Sequence, residues 1–258
     1  MEQKSMGESD NPMGDIKVFQ DVEKLTSYAV REFINLSQRA IDARGYFSVA
    51  LSGGSTPRPV YQALADPKNQ NEIAWSNVHL FWGDERHVPP DHTDSNYRMV
   101  KQVLIDKVPV PPDNVYRVAA EMDVRMAAFH YEERLRCFFT GDWPRFDLIF
   151  LGMGTDGHTA SLFPHSAGLN EEYRWFIANF APQEEEWRLT LTKNAINHAR
   201  QICVLVQGED KAEMVSEVFT GEKEPYEKPI QFISPSDGQI TWLMDQAAAS
   251  RLPEGQIS

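Results

Sequence analysis

The sequence predicts an α/β fold in which an open, mostly parallel sheet is flanked by helices on both faces, as in Rossmann-like proteins. Several short runs are apolar throughout, such as FDLIFL at 146–151 and QICVLV at 201–206. These runs alternate with segments whose apolar residues recur every three or four positions. The 258 residues are 41% hydrophobic, which is enough for a substantial core. Strands buried on both faces and separated by amphipathic helices are typical of parallel sheets.

The elements alternate along the chain as this fold requires. Residues 21–43 have the apolar spacing of an amphipathic helix, with Gly45 as its stop. YFSVAL at 46–51 is predicted to be a buried strand that runs directly into SGGSTP. The remaining predicted elements are a short helix around Val60, Tyr61 and Leu64, a strand at 77–82, helices at 97–107 and 123–139, strands at 146–151, 176–180, 188–191, 201–206 and 239–244, and helices at 192–199 and 210–220, the last closed by Gly221.

The N-terminal residues, the apolar runs and the cysteines indicate where the protein is found. Residues 1–15 are polar and lack the apolar core of a signal peptide, so we predict a disordered tail there and a single α/β domain over 16–258. No run reaches the roughly 18 to 20 apolar residues of a membrane span. Cys137 and Cys203 have no C-x-x-C or His-rich neighbourhood and are expected to be buried thiols in a reducing compartment. We therefore expect a cytoplasmic protein, either a monomer or a weak homo-oligomer.

The charge balance restricts the partners. A formal net charge of -13 argues against nucleic acid and against anionic membrane, because both are bound through Lys and Arg that neutralise phosphates. A small anionic ligand remains possible if backbone N–H groups and a few cations converge on it. In open α/β sheets such ligands bind beyond the carboxyl ends of strands, and three loops in those positions are unusual.

The first loop is LSGGSTP at 51–57. Gly53 and Gly54 allow a tight turn, Ser55 and Thr56 offer hydroxyls and a helix N-cap, and Pro57 suits a first helical turn. These residues together predict a nest of N–H groups that binds a phosphate. The loop lacks the G-K-[ST] ending of a Walker A motif. A tight turn with a capped helix and no ligand is the alternative, and the spacing does not decide between them.

The second loop is GDERHVPPDHTDSN at 83–96. Asp84 at the strand end would position a substrate hydroxyl, and Arg86 would bind a phosphate through its two-pronged guanidinium. A solvated charged loop in which Asp94 or Ser95 caps the next helix is the alternative for the rest of the segment.

A metal site is not favoured in this second loop. Asp84, His87, His92 and Asp94 are the candidate ligands, but two prolines break any regular ligand spacing between them. We expect no metal.

The third loop is GMGTDGHTASLFP at 152–164, which satisfies G-x-G-x-x-G. A dinucleotide-binding turn would open a long helix and have an acidic residue about 20 positions on, at the end of a second strand. Here Pro164 interrupts any helix, and the nearest acidic residues lie in GLNEEY, which is not a strand end. The dinucleotide interpretation is therefore rejected.

The glycines of the third loop instead present Asp156 and His158. A neutral histidine at a strand's carboxyl end can take a proton from a bound ligand or water. A histidine that only hydrogen-bonds its own loop is the common alternative. The coincidence of three such loops at one edge of one sheet favours a functional His158, while Asp156 would either orient the ring or stabilise the turn.

The segments LSGGSTP, WGDERHVPPDHTDSNYRM and LGMGTDGHTASLFP, in this order, closely resemble the 6-phosphogluconolactonase family. RLTLT, VQGEDKAE and ITWLMDQAA extend the resemblance, so that it covers about residues 16–251. The related glucosamine-6-phosphate deaminases share the GxGxDGH core but usually continue with an A-F-N-E-P type sequence. This chain reads A-S-L-F-P, which favours the lactonases.

The resemblance implies a glucosamine-6-phosphate deaminase-like fold and hydrolysis of 6-phospho-D-glucono-1,5-lactone in the oxidative pentose phosphate pathway, with no metal or organic cofactor. His158 matches the family's proposed general base, and Arg86 matches its active-site arginine. Gly53, Gly54, Ser55 and Thr56 match its ligand loop. Arg188 and Lys211 match further ligand-binding positions, although Trp187 replaces the usual proline before Arg188.

Two other functions stay open at this stage. A sugar-phosphate isomerase or deaminase would use the same phosphate loop with a carboxylate that shuttles a proton at carbon. A catalytically silent sugar-phosphate sensor would normally need an output module, and the sequence has neither a helix-turn-helix extension nor a basic patch.

Overall fold

The structure is a computed structural model that describes residues 13–235, 237–253 and 255. The strands in this part of the chain are β1 (Asp15–Phe19), β2 (Phe47–Leu51), β3 (Val78–Trp82), β4 (Asp84–Arg86), β5 (Val115–Tyr116), β6 (Leu148–Gly152), β7 (Phe176–Ala181), β8 (Glu186–Leu191), β9 (Gln201–Val206) and β10 (Gln239–Asp245).

The α-helices of the described residues are α1 (Val22–Arg44), α2 (Arg58–Leu64), α3 (Pro67–Gln70), α4 (Asn96–Val103), α5 (Val124–Phe138), α6 (Lys193–Asn197) and α7 (Ala212–Thr220). Short 3₁₀ helices lie at Trp75–Asn77, Ile105–Lys107, Pro112–Asn114, Ala167–Asn170, Glu209–Lys211 and Pro229–Phe232.

Helix α1 forms as its sequence predicts. Asp21 is its N-cap and accepts a hydrogen bond from the Lys24 N–H at 2.8 Å. Gly45 ends the helix in the left-handed region at φ 83°, which glycine adopts without strain, and donates its N–H to the Ile41 carbonyl.

Over the described ranges, the main sheet has seven strands in the order β1-β10-β9-β6-β2-β3-β5, all of them parallel. Every residue of β2 and of β9 is buried, so both faces of the central strands are covered. The predicted α/β class with a mostly parallel sheet is confirmed. The reason is the one used in the prediction, since strands without a polar face need cover on both sides.

The strand order places a crevice beside β2. The chain passes from β2 to β3 and β5 on one side, and then from β6 to β9 and β10 on the other. The connections that follow β2 and β6 therefore leave in opposite directions, which is the topological switch point where ligands bind in open α/β sheets. The glycine loop follows β2, and the His158 loop follows β6.

A second sheet was not predicted. Its three strands are antiparallel in the order β4-β8-β7. The run 176–180 and the run 188–191 were correctly predicted as strands, but they pair with each other and with β4 rather than joining the main sheet. Asp84 to Arg86, expected in a loop, form β4 because β8 supplies the pairing.

The N-terminal segment and Cys137 differ from the predictions. Residues 1–12 of the predicted tail lie outside the described residues, while Asp15, its last residue, begins β1 and pairs with Thr241. Cys203 is buried as expected, but Cys137 is exposed, contrary to the prediction. Among the described residues no helix combines the length and apolar character that would cross a bilayer.

Candidate active site

A cleft of about 590 Å³ lies at the carboxyl ends of the parallel strands. Eight of the ten residues predicted for the site line it: Gly53, Gly54, Ser55, Thr56, Asp84, Arg86, His158 and Lys211. The three loops singled out in the sequence therefore meet in one place, because the strands that precede them end at the same edge.

The two glycines after β2 are required by the shape of the turn. Gly54 has φ +91°, a backbone conformation that L side chains rarely adopt. A Cβ on Gly53 would lie 1.7 Å from Asn96 Oδ1. Asn96 in turn donates from Nδ2 to the carbonyl of Asp84 at 2.9 Å, so one side chain fits the glycine loop against β4.

The turn 53–56 has free donors. Within the described residues, none of its four backbone N–H groups makes a hydrogen bond. The prediction that Ser55 or Thr56 caps the next helix is wrong, because α2 begins at Arg58 with Pro57 as its N-cap and no side-chain cap. The two hydroxyls and the N–H groups thus remain available to an anion.

The His158 loop is built around a pair of side chains. Asp156 Oδ1 accepts from the ring Nδ1 of His158 at 2.6 Å and from the backbone N–H of His158 at 3.1 Å. Asp156 therefore does both of the things considered for it, since one oxygen holds the ring and the turn. With Nδ1 occupied as a donor, Nε2 is the nitrogen that can accept a proton.

The environment of the pair supports this arrangement. Burial alone would raise the pKa of Asp156, but hydrogen bonds and charge from His158 outweigh it and hold that pKa below its usual value. The His158 ring packs on Phe163 with ring centroids 4.6 Å apart. About 29% of the His158 side chain is exposed, so it is held in place and still reachable from the cleft.

Two glycines of G-x-G-x-x-G leave space for the Asp156 and His158 side chains and allow the turn between them. A Cβ on Gly154 would lie 2.2 Å from His158 Nδ1 and 2.4 Å from Asp156 Oδ1. Gly157 has φ +78°, and a Cβ there would lie 3.0 Å from Lys228 Cα. Strand β6 is followed by turns and not by a helix. The motif therefore allows the Asp156–His158 pair to form, in agreement with the rejection of a dinucleotide turn.

Two residues of strand β4, Asp84 and Arg86, line the cleft. Asp84 lines the cleft and accepts from Ser161 Oγ at 2.8 Å, which ties β4 to the chain that follows His158. Arg86 lines the cleft and donates to the Asp94 carbonyl at 2.9 Å. Ser95 rather than Asp94 caps α4.

Glu85 points away from the cleft and is only 1% exposed. It accepts from the backbone N–H groups of Asn96 and Tyr97, at 2.7 and 2.8 Å. Burial raises its pKa to about 7, against the lowering effect of these N–H groups, with a further rise from the nearby Asp84 charge. Glu85 is thus a structural clamp on the start of α4.

Arg188 and Lys211 differ in position. Arg188 faces Arg86 across the β4–β8 pair but does not line the cleft. Its guanidinium is paired with Glu184 and Glu186 and lines a neighbouring depression together with Arg86. Lys211 does line the cleft, where its Nζ is 3.7 Å from Asp210 Oδ2.

The metal ligands considered in the sequence are not gathered. Across 13–235, 237–253 and 255 no three His, Cys, Asp or Glu side chains are grouped as a metal site. His87 Nε2 bonds the Met122 carbonyl, and His92 Nδ1 is 3.7 Å from Asp94 Oδ2.

Sequence reasoning missed five polar residues that line the cleft: Ser52, Asn96, Gln207, Asp210 and Asp245. Ser52 and Gln207 directly follow the last residues of β2 and β9, and Asp245 is the last residue of β10. The rule that ligands bind beyond strand ends was sufficient to mark these three. Asn96 depends on the packing of α4 against the glycine loop, for which no local pattern exists.

The chain is similar to known proteins over most of its length. The family described as glucosamine-6-phosphate isomerases/6-phosphogluconolactonase has a sequence profile that matches residues 20–242. A 6-phosphogluconolactonase of Synechocystis sp. is 42% identical over 218 residues, which are 83% of this chain and 88% of that protein.

Two solved structures are also similar. The 6-phosphogluconolactonase from Trypanosoma brucei has a TM-score of 0.84 at 28% identity, covering 93% of this chain and 99% of that one. A monomeric glucosamine-6-phosphate deaminase has a TM-score of 0.77 at 18% identity, covering 92% and 99%, and this likeness concerns the fold alone. The chain belongs to the glucosamine-6-phosphate isomerase/6-phosphogluconolactonase family.

Proposed function

We propose that the protein is a lactone hydrolase that converts 6-phospho-D-glucono-1,5-lactone to 6-phospho-D-gluconate. The observation that carries the proposal is the His158 ring, which is held by Asp156 and lines the same cleft as the 53–56 turn with its free N–H groups. A general base beside an anion site is what hydrolysis of a phosphorylated ester needs. The names of the relatives at 42% and 28% identity support this reaction.

In the proposed mechanism, His158 Nε2 takes a proton from a water molecule as the water oxygen bonds to the lactone carbonyl carbon. The tetrahedral intermediate then breaks its bond to the ring oxygen, which receives the proton back from the imidazolium. The carboxylic acid that results loses its proton to the solvent, so the products are a carboxylate, a free hydroxyl and one released proton. Asp156 stabilises the imidazolium through Nδ1. A positioned base contributes roughly 10² to 10⁴ in rate.

The phosphate is proposed to bind at the other end of the substrate. The N–H groups of 53–56, the hydroxyls of Ser55 and Thr56, and the cations of Arg86 and Lys211 line the same cleft. Charge-assisted and N–H hydrogen bonds to a phosphate dianion fix the position of the lactone relative to His158. Asp84 is proposed to bind a substrate hydroxyl, and Arg188 to contribute more remotely through its position beside Arg86.

The main rival, an isomerase or deaminase, is less well supported. Glucosamine-6-phosphate deaminases usually carry a glutamate in the A-F-N-E-P type sequence after their GxGxDGH core, and the segment from Thr159 to Pro164 that follows His158 contains no carboxylate. In its place Ser161 binds Asp84, while Leu162 and Phe163 are buried.

The test is hydrolysis of freshly generated phosphogluconolactone, followed by proton release above the spontaneous rate. We expect rapid turnover of this lactone and little turnover of the unphosphorylated one. Incubation with glucosamine 6-phosphate and an ammonia assay tests the rival. Release of ammonia without lactone hydrolysis would contradict the proposal.

We further propose that the enzyme acts in the cytoplasm as a monomer or weak homo-oligomer, without a metal or organic cofactor. Full activity after dialysis against EDTA, and a sedimentation mass near that of one chain, are the expected results. Loss of activity that zinc or magnesium restores would contradict the cofactor proposal.

A further inference from the structure

Two covered polar atoms in residues of the cleft have no hydrogen-bond partner among the described residues. They are Ser52 Oγ and Gln207 Oε1. Ser52 as a whole is only 6% exposed. Buried polar groups without partners are destabilising, and most native ones are paired. Two such atoms in one cleft indicate that a ligand supplies the missing partners.

The same feature is not spread over the molecule. Trp82 Nε1 and Arg200 Nε are the further atoms of this kind in the described part of the chain. Neither residue lines the cleft, and Arg200 Nε lies 3.3 Å from Asp147 Oδ1, so its charge is compensated.

The strand order places Ser52 and Gln207 on opposite sides of the His158 loop. Ser52 follows β2 and Gln207 follows β9, and β6 lies between these two strands. Neighbouring strands are about 4.8 Å apart, so the two backbones are separated by roughly 10 Å. A ring that lies over the end of β6, within reach of His158, has one of these residues on each side.

The backbone at both positions is held firmly. The Ser52 N–H donates to the Tyr61 hydroxyl at 3.1 Å, and that hydroxyl donates to the Ser52 carbonyl at 3.0 Å. On the other side, the Gly208 N–H donates to both carboxylate oxygens of Asp245 at 3.1 Å. Fixed backbones with unpaired side-chain atoms are the arrangement of a preorganised binding site.

We propose that Ser52 and Gln207 determine substrate specificity by hydrogen bonding to ring hydroxyls of the phosphorylated lactone. This inference rests on the proposed function. Gln207 Oε1 can only accept, so its partner is a hydroxyl donor, whereas Ser52 Oγ can donate or accept. The phosphate is bound elsewhere, by the 53–56 turn and Arg86. The two residues therefore recognise the pattern of hydroxyls and not the charge.

The test pairs each residue with each hydroxyl. Ser52→Ala and Gln207→Leu are assayed on the lactone and on its 2-deoxy, 3-deoxy and 4-deoxy forms. We expect each variant to lose about tenfold or more in kcat/KM on the full lactone. On the one deoxy lactone that lacks its partner hydroxyl, each variant should match the wild type, because the interaction is already absent there.

The same strands offer matched controls at their opposite ends. Ser48 Oγ is bound to Asp147, and Gln201 Nε2 is bound to Thr241 Oγ1 at 3.0 Å. Ser48→Ala and Gln201→Leu should lower the melting temperature and leave the discrimination among lactones unchanged. Ser52→Ala should keep the melting temperature of the wild type, because Ser52 Oγ has no partner to lose.

Equal losses on all four lactones, or no loss on any, would overturn the inference. The proposed function fails separately, if the wild type hydrolyses none of them. In that case calorimetric binding of 6-phosphogluconate and its three deoxy forms gives the same comparison without turnover. A loss of affinity confined to the ligands that carry the partner hydroxyl supports the inference, and a uniform or absent loss refutes it.

Discussion

The carboxylate oxygen Oδ1 of Asp156 lies 2.6 Å from Nδ1 of His158 and 3.1 Å from the backbone nitrogen of the same residue. One atom therefore sets both the turn and the direction of the ring. A substitution at either residue should affect the chemical step more than ligand binding.

For this pair we predict that His158→Ala lowers kcat by roughly 10² to 10⁴, the usual contribution of a general base. Asp156→Asn should lower kcat by about tenfold or more, because the amide keeps the shape but loses the charge that stabilises the imidazolium. The dissociation constant of 6-phosphogluconate should change little in both. Turnover by His158→Ala close to that of the wild type would refute its assignment as the base.

Gly154→Ala tests the close approach beneath the pair. An added Cβ would lie 2.2 Å from His158 Nδ1, so the ring must move and kcat should fall by about 10² or more. Gly83→Ala is the control, because its nearest atom is the Leu51 carbonyl oxygen at 3.7 Å and its φ is not positive. Similar steady-state rates for the two variants would show that the ring position is unimportant.

Arg86→Ala tests the phosphate site. We expect KM to rise about tenfold or more with a smaller change in kcat, which corresponds to about 1.4 kcal/mol of binding. Arg188→Ala is the matched comparison on the facing strand. Because Arg188 is already paired with Glu184 and Glu186, its loss should lower the free energy of unfolding. The rise in KM should be smaller than the rise in Arg86→Ala. An unchanged KM in Arg86→Ala would contradict its role.

Glu85 predicts a pH dependence of stability. Its pKa of about 7 in the folded protein exceeds the ordinary 4.5, so the unfolded chain releases the proton first. The stability linked to this proton is complete below pH 4.5 and is lost as the pH rises through 7, by about 3 kcal/mol in all. Glu85→Gln should reduce the fall in unfolding free energy between pH 5 and pH 8.

Urea unfolding at the two pH values measures this effect. Glu213→Gln, which changes an exposed carboxyl paired with Arg251, is the control and should leave the pH dependence as it is. The prediction fails if Glu85→Gln and the wild type lose the same free energy over this range.

The sequence predicted the parts of the fold that depend on local patterns. Helix α1 and the buried strands carry their own periodicity and caps, so their bounds were close to those found. Strand β4 was missed because Asp84, Glu85 and Arg86 have no strand pattern, and their pairing comes from β8, about 100 residues later. The first strand was hidden for the same reason, since Asp15 pairs with Thr241 at the far end of the chain.

The site was predictable where glycines and strand ends marked it. His158, Arg86 and the 53–56 turn were found from these signals. The carboxylate partners of Arg188 were not, because Glu184 and Glu186 approach it only through the β7–β8 hairpin. Ser52 and Gln207 could have been marked by their places after strand ends, but that their side-chain oxygens lack partners is visible only in the folded chain.

The bond from Ser161 to Asp84 joins the segment after His158 to the strand that carries Arg86. This bond therefore helps to fix the separation between the His158 base and the Arg86 cation. Redesign toward longer or shorter phosphorylated lactones should keep the Ser161–Asp84 bond and change residues 207–211. That segment is held separately, by the hydrogen bonds from the Gly208 N–H to Asp245.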